Sequence, residues 1–167
     1  MTDWRFGRVS VRMVPIGSGT GELDVVVKSK GIALETPLHG SRVILGESVQ
    51  AKHEIHWPDL SLKDRGRRKI IYDSVRRALM TAVTTNGQKI GIYTLGLELM
   101  GIPSWEVAEE VVRSVRDHSV TDEGERTVTI VTSSPLQTSS FEFALDNAEL
   151  LEHRHVTTVD EADGRMP

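Results

Sequence analysis

The residues best placed to do chemistry lie in one stretch, Thr94-Leu95-Gly96-Leu97-Glu98-Leu99-Met100-Gly101-Ile102-Pro103. It follows an apolar, strand-like run and precedes a helical pattern that begins beyond Pro103. A loop in that setting can turn backbone N–H groups toward an anion, and glycine removes the side chain that would hold a phosphate away. Thr94, Gly96, Leu97, Glu98, Leu99, Met100 and Gly101 are therefore the candidate ligand-binding residues. A tight strand-to-helix connection would need the same glycines, so the local pattern leaves both readings open.

Other reactive side chains form weaker constellations. Lys63, Arg65, Arg67, Arg68, Lys69, Arg76 and Arg77 make a basic cluster, partly offset by Asp64 and Asp73. No aromatic residues interleave to stack bases, so a solvated helix face is the favoured reading and nucleic acid is not an expected partner. The histidines are His39, His53, His56, His118, His153 and His155. His53 and His56 would point to opposite faces of a strand, which is poor metal geometry, and solvated or capping roles are expected for all six. Ser133, Ser134, Thr138, Ser139 and Ser140 could hydrogen-bond a ligand but more often serve turns and caps. There is no cysteine, no Walker loop and no nucleophile elbow, so no metal, cofactor or catalytic residue is assigned.

These groups must be held by elements legible from periodicity. Arg8 to Pro15 alternates with Val9, Val11 and Met13 on one face, and Leu23 to Val27 is a β-branched run fit for a strand buried on both faces. Arg42 to Leu45 and His53 to His56 read as two further short strands. Ile71, Val75, Leu79, Ala82 and Val83 recur at helical spacing, and Asn86-Gly87 supplies a left-handed stop. Lys89 to Leu95 is a central strand. Ser104 is the expected N-cap of a helix whose apolar stripe includes Trp105, Ala108, Val111, Val112 and Val115, with Glu106, Glu109 and Glu110 near its positive end. Thr127 to Thr132 is a strand, and Ser139 with Glu142 has capping-box spacing for a last helix carrying Phe141, Leu145, Ala148 and Leu151. Alternation of this kind predicts an α/β fold, a mixed, mostly parallel sheet in a three-layer α/β/α sandwich. Ligands of such sheets sit beyond the carboxyl ends of the strands, where Gly96–Gly101 and residues 133–138 would meet.

The chain has 167 residues, a formal net charge of −4 and 38% hydrophobic residues, which suits one globular domain. Residues 1–155 are expected to form it, with a flexible, polar and acidic tail over 156–167. No apolar run is long enough to span a membrane and none near Met1 could serve as a secretion signal, so a cytoplasmic location is expected.

Ile92 to Pro103, followed by Glu106-Val107-Ala108, resembles the second phosphate loop of macro domains, P-x-[IL]-[GS]-T-G-x-x-G-[IFY]-P and the alanine-rich helix after it. The helix before Asn86-Gly87 and the closing strand and Phe141 helix are similar to their macro counterparts, and Leu23-Asp24-Val25-Val26-Val27 stands where the family has V-D-A-I-V. The resemblance, covering Arg8 to about Leu151, implies a macro-domain-like fold and a cleft for ADP-ribose or a related nucleotide. It also implies where this chain departs. The adenine-recognising aspartate position falls at or near Gly17, and the asparagine-containing N-A-A-N motif becomes Lys28-Ser29-Lys30-Gly31. Glu98 replaces a glycine whose amide faces a phosphate. Only Ile32 to His39 would separate the altered motif from the Arg42 strand, too little for the family's first glycine loop and helix.

Gly17, Lys28 and Ser133 complete the candidate rim. The leading expectation is a nucleotide-binding module without hydrolase activity. The alternative is a vestigial cleft on a protein-interaction or structural unit. A less favoured third is divergent chemistry with Asp24, Lys28, Lys30 and Glu98 as the nearby candidates.

Overall fold

The structure, a computed structural model, describes residues 3–30, 32–35, 42–45 and 49–160, with backbone alone for 32–35, 42–45 and 153–160. The elements run β1 (Asp3–Phe6), β2 (Val9–Pro15), β3 (Leu23–Lys28), β4 (Ile32–Glu35), β5 (Arg42–Leu45), β6 (Ala51–His56) and α1 (Arg67–Thr85). Then come β7 (Lys89–Tyr93), α2 (Leu95–Leu99), α3 (Ser104–Ser119), β8 (Arg126–Thr132) and α4 (Pro135–Asp160). Six strands form one sheet in the order β1-β2-β8-β7-β3-β6, antiparallel only at β1 and β2. The expected mixed, mostly parallel α/β architecture is what forms. Because five strands run the same way, β2, β8, β7, β3 and β6 all end at one rim.

Register explains the core. Trp4, Val11, Val128, Ile90 and Val25 fall in one row across five strands, and all five are buried. They share a single apolar core with Ile71, Val75 and Leu79 of α1, Val107 and Val111 of α3, and Phe141 and Leu145 of α4. Each such side chain contributes about 1.5–3 kcal/mol by leaving water. The adjacent row, on the other face, holds Val26, Gly91, Thr129 and Arg12. There a Cβ on Gly91 would lie 2.6 Å from Leu23 Cδ1, so the glycine lets Leu23 close over the sheet.

Several expectations need correction. The first strand, β1, lacked a clear sequence signal; it is an edge whose Trp4 and Phe6 are buried, with Trp4 Nε1 donating to Asp146 at 2.8 Å. The Arg42 strand is not in the main sheet: β5 pairs antiparallel with β4, and β6 is the strand that joins β3. The crossover therefore spans residues 29–50, and the brevity argued from Ile32 to His39 does not hold. Helix α3 has Pro103 as its N-cap residue, and Ser104 is the first helical residue. Helix α4 begins at Pro135, so Ser139 and Glu142 lie inside it and form no capping box. The cap is Ser134, whose Oγ accepts the Gln137 N–H at 3.2 Å, with proline at the first position where its missing N–H costs nothing. Val83 and Leu151 are exposed, and Trp105 lies outside the core altogether. Residues 156–160 continue α4; those from 161 onward lie outside the described residues, as does His39.

Part of the basic cluster, Arg67, Arg68 and Lys69, is held in ion pairs, whereas Lys63, Arg65, Arg76 and Arg77 make none among the described residues. Arg67 makes a bidentate contact with buried Glu106 at 2.7 and 2.6 Å, and Arg68 reaches Glu109 and Glu110. Arg113 closes the network on Glu110. The Arg67 guanidinium holds the Glu106 carboxyl below its usual range. The acids expected to serve the α3 dipole thus also bind α1 to α3. At the far end of the sheet His118 is buried, contrary to expectation, with Nε2 2.7 Å from Asp122, which also receives Arg126 Nε at 3.0 Å. Among the described residues no helix is long and apolar enough to cross a membrane.

Two tests follow from these contacts. Asn86 ends α1 at φ 58°, and Gly87 N–H bonds Ala82 O at 2.7 Å. Asn86→Ala should cost about 1 kcal/mol in urea unfolding, and Asn86→Gly should cost nothing, because only the Cβ opposes the left-handed turn. Burial pushes the Asp122 carboxyl up, but the Gly124 N–H, His118 and Arg126 outweigh it and hold the carboxyl below 3.8. Its stabilisation is complete above the unfolded value and is lost as pH falls through the lower folded one. Asp122→Asn should destabilise the protein at neutral pH, and its stability should fall less steeply than the wild type's on acidification below 3.8, followed by circular dichroism.

Candidate functional site

The rim where β2, β8, β7, β3 and β6 end carries every candidate ligand-binding residue. Its centre differs from the expected open loop. Strand β7 stops at Tyr93, and Leu95–Leu99 coils into the one-turn helix α2. Glu98 N–H bonds Thr94 O at 3.2 Å, Met100 N–H bonds Gly96 O at 3.0 Å, and Ile102 N–H bonds Leu97 O at 3.1 Å. Gly101 N–H bonds Glu98 O at 2.9 Å and sits at φ +80°, the left-handed turn that requires glycine. Most amides of the stretch are thereby satisfied within it. Those of Leu95, Gly96 and Leu97 open the helical turn and have no intrahelical acceptor.

Gly96 has a different task from the expected one. A Cβ there would lie 1.5 Å from Ser29 Oγ and 2.6 Å from Ser29 Cβ. Its bare Cα lets α2 dock on the residue that follows β3. The other candidates separate by burial. Thr94 and Leu97 have no exposed surface, so their side chains cannot touch a ligand. Leu99 is exposed and Met100 half-buried, its Sδ 3.2 Å from the Leu60 N–H. Gly17, at φ +91°, stands in open space after β2. Lys28 Nζ turns to the edge of the sheet, where it meets Val49 O at 2.8 Å and Glu54 at 2.9 Å.

A hydrogen-bonded knot joins the loops. Gln137, fully buried, accepts the Ser133 N–H at 2.9 Å through Oε1 and donates from Nε2 to Thr94 O at 3.2 Å. One fixed donor and one fixed acceptor leave only this orientation of the amide. Thr94 Oγ1 lies 2.6 Å from the same Oε1 and 2.9 Å from Val131 O. Ser133 Oγ is within reach of both Gln137 Oε1 and Glu98 Oε2 but has a single proton. The carboxylate is the stronger acceptor and takes it. Glu98 thus bridges α2 to the β8–α4 connection. Beside this bridge a groove of about 520 Å³ is lined by Pro15, Ile16, Thr132, Ser133, Ser134 and Glu142.

The structure therefore brings Gly96, Glu98 and Ser133 together and turns Lys28 toward β6. Gln137 was missed by the sequence reading, although Ser134-Pro135-Leu136-Gln137 carries a capping signal that could have found it. Its bond to Thr94 has no local signature. Among the described residues no cluster of His, Asp and Glu could hold a metal ion.

No protein-family profile matches the chain, and no curated protein matches it. Solved structures do. An aspartate-to-alanine variant of the Oceanobacillus iheyensis macrodomain is similar at 12% identity and a TM-score of 0.65, covering 91% of this chain and 98% of that one. A glycine-to-valine variant with ADP-ribose gives 15% identity and 0.66, over 90% and 98%. The same macrodomain with ADP gives 12% and 0.64, over 91% and 97%. The fold is macro-domain-like.

Gly96→Ala should destabilise by about 2 kcal/mol through overpacking, measured by chemical denaturation. Ser29→Gly in the same chain should recover part of that loss, because the Cβ then meets only the residue 29 Cα, at an ordinary contact distance of 3.7 Å.

Proposed function

We propose that this chain is a binding module for ADP-ribose or a related nucleotide, held at the rim beside α2, and that it does not hydrolyse its ligand. The observation that carries the reading is the macro-domain-like fold, two of whose structural neighbours are described with ADP-ribose and with ADP. Of the α2 backbone donors without intrahelical acceptors, the N–H of half-buried Leu95 is the accessible one, those of Gly96 and Leu97 being buried with their residues. The adjoining groove is lined by Ser134, whose hydroxyl accepts the Gln137 N–H and donates to no group among the described residues. The case against hydrolysis rests on Lys28-Ser29-Lys30-Gly31, which offers no asparagine amide to hold a ribose and a water. Lys28 lies instead against Glu54. A cytoplasmic setting suits a nucleotide ligand.

Glu98 weakens such a module. Its carboxylate, bonded to Ser133, stands between two loops that a phosphate would have to approach. Two like charges about 5 Å apart repel by roughly 3 kcal/mol at an effective dielectric near 20. A second reading draws on the same contact. With Glu98 and Ser133 closed on each other and Thr94 and Leu97 buried, the rim is a sealed structural feature of a protein-interaction unit.

Calorimetry separates the two. Wild-type protein should bind ADP-ribose weakly, and Glu98→Gln should bind it about a hundredfold more tightly while leaving the fold intact. No binding heat from either protein would discard the nucleotide reading and leave the second. Release of free ADP-ribose from a modified peptide would discard the claim that the module does not hydrolyse.

A further inference from the structure

Helices α3 and α4 leave large apolar side chains in solvent on the side away from the core. Leu136, Phe143 and Leu150 are 67%, 75% and 51% exposed. They are spaced seven residues apart, two turns, so they form one row along α4. Beside the row a groove of about 500 Å³ separates α4 from α3, floored by Val112, Ala144 and Ala148. Trp105 lines it, 55% exposed, with the Arg68 guanidinium 5.3 Å above its ring. A row at this spacing next to a groove is the surface a helix packs on.

We propose that this face pairs with a second copy of the chain, with the two α4 helices alongside each other and parallel. Self-pairing is favoured because one face offers both parts of the contact. Phe143 projects from it, and the groove beside Phe143 can receive the same residue from the other copy. The charges set the direction. Asp146 and Glu149 lie on one flank of the row, by helical geometry, and Glu109, Arg113 and Arg116 line the groove on the other; Glu109 and Arg113 are already paired with Arg68 and Glu110, and Arg116 is the cation that makes no ion pair among the described residues. A two-fold axis along α4 turns the acidic flank of each copy onto the arginine flank of its mate. A two-fold axis across α4 would set acids against acids. Self-complementary charge is what a two-fold interface needs.

The test is sedimentation equilibrium of the full chain over a range of loading concentrations, with circular dichroism to verify folding. The wild-type mass should rise from 18.5 kDa toward twice that value. Phe143→Glu should stay at 18.5 kDa throughout with an unchanged Tm, since its side chain is mostly in solvent. Arg116→Glu should weaken association about tenfold, and adding Glu149→Arg should restore it, because both copies then exchange signs together. The proposal is overturned by a wild-type mass that never leaves 18.5 kDa, which would assign the face to a different partner or to none. Association indifferent to Phe143→Glu, or not restored in the double variant, would overturn it as well.

Discussion

Parallel strands stop making ladder bonds at their ends, and the backbone groups left over must find other partners before they can be buried. In this protein one side chain meets that need for two central strands. Gln137 takes the N–H of Ser133 beyond β8 and serves the carbonyl of Thr94 beyond β7, from a position with no access to water. Because Gln137 lies in the first turn of α4, the same amide fixes where that helix starts. The rim then inherits its shape from this point. Thr94 begins α2, Ser133 meets Glu98, and the groove opens between β2 and the start of α4.

Charge is organised by the same economy of partners. A sequence with a basic run near α1 and an acidic run in α3 invites two separate stories, one about a polyanion and one about a helix dipole. The packing of α1 on α3 merges them. Arg67, Arg68 and Arg113 surround Glu106 and Glu110, and Asp24 takes the backbone N–H groups of Gln88 and Lys89, which hold its carboxyl low. Paired charges of this sort have little attraction left for a distant phosphate chain. Glu98, by contrast, meets a neutral hydroxyl at the rim rather than a cation.

Local pattern carried much of the fold. The β-branched runs at Leu23, Lys89 and Thr127 became the buried strands, and Asn86 adopted the left-handed stop that its side chain tolerates. Errors gathered where two local signals competed. Ser139 with Glu142 had the spacing of a capping box, but Ser134-Pro135 sits one turn earlier and proline settles the start. Trp105 fell at an apolar position of α3, yet the helix turned it outward under Arg68. The Arg42 strand was visible but its partner was not, because strand propensity does not say which sheet a strand joins.

By itself the sequence determined the α/β class, the run of strands and helices that line the rim, and the glycines that bend the chain there, because these follow from periodicity and from φ preferences that act within a few residues. The tertiary structure alone decided what those residues do. Gly96 is bare for the sake of Ser29, Thr94 is locked by a residue forty-three positions away, and Glu98 faces Ser133 across the gap between two loops. Such contacts join segments far apart in the chain, and no local spacing encodes them. Only the parallel sheet, by ending its strands at one edge, brings them within reach of a hydrogen bond.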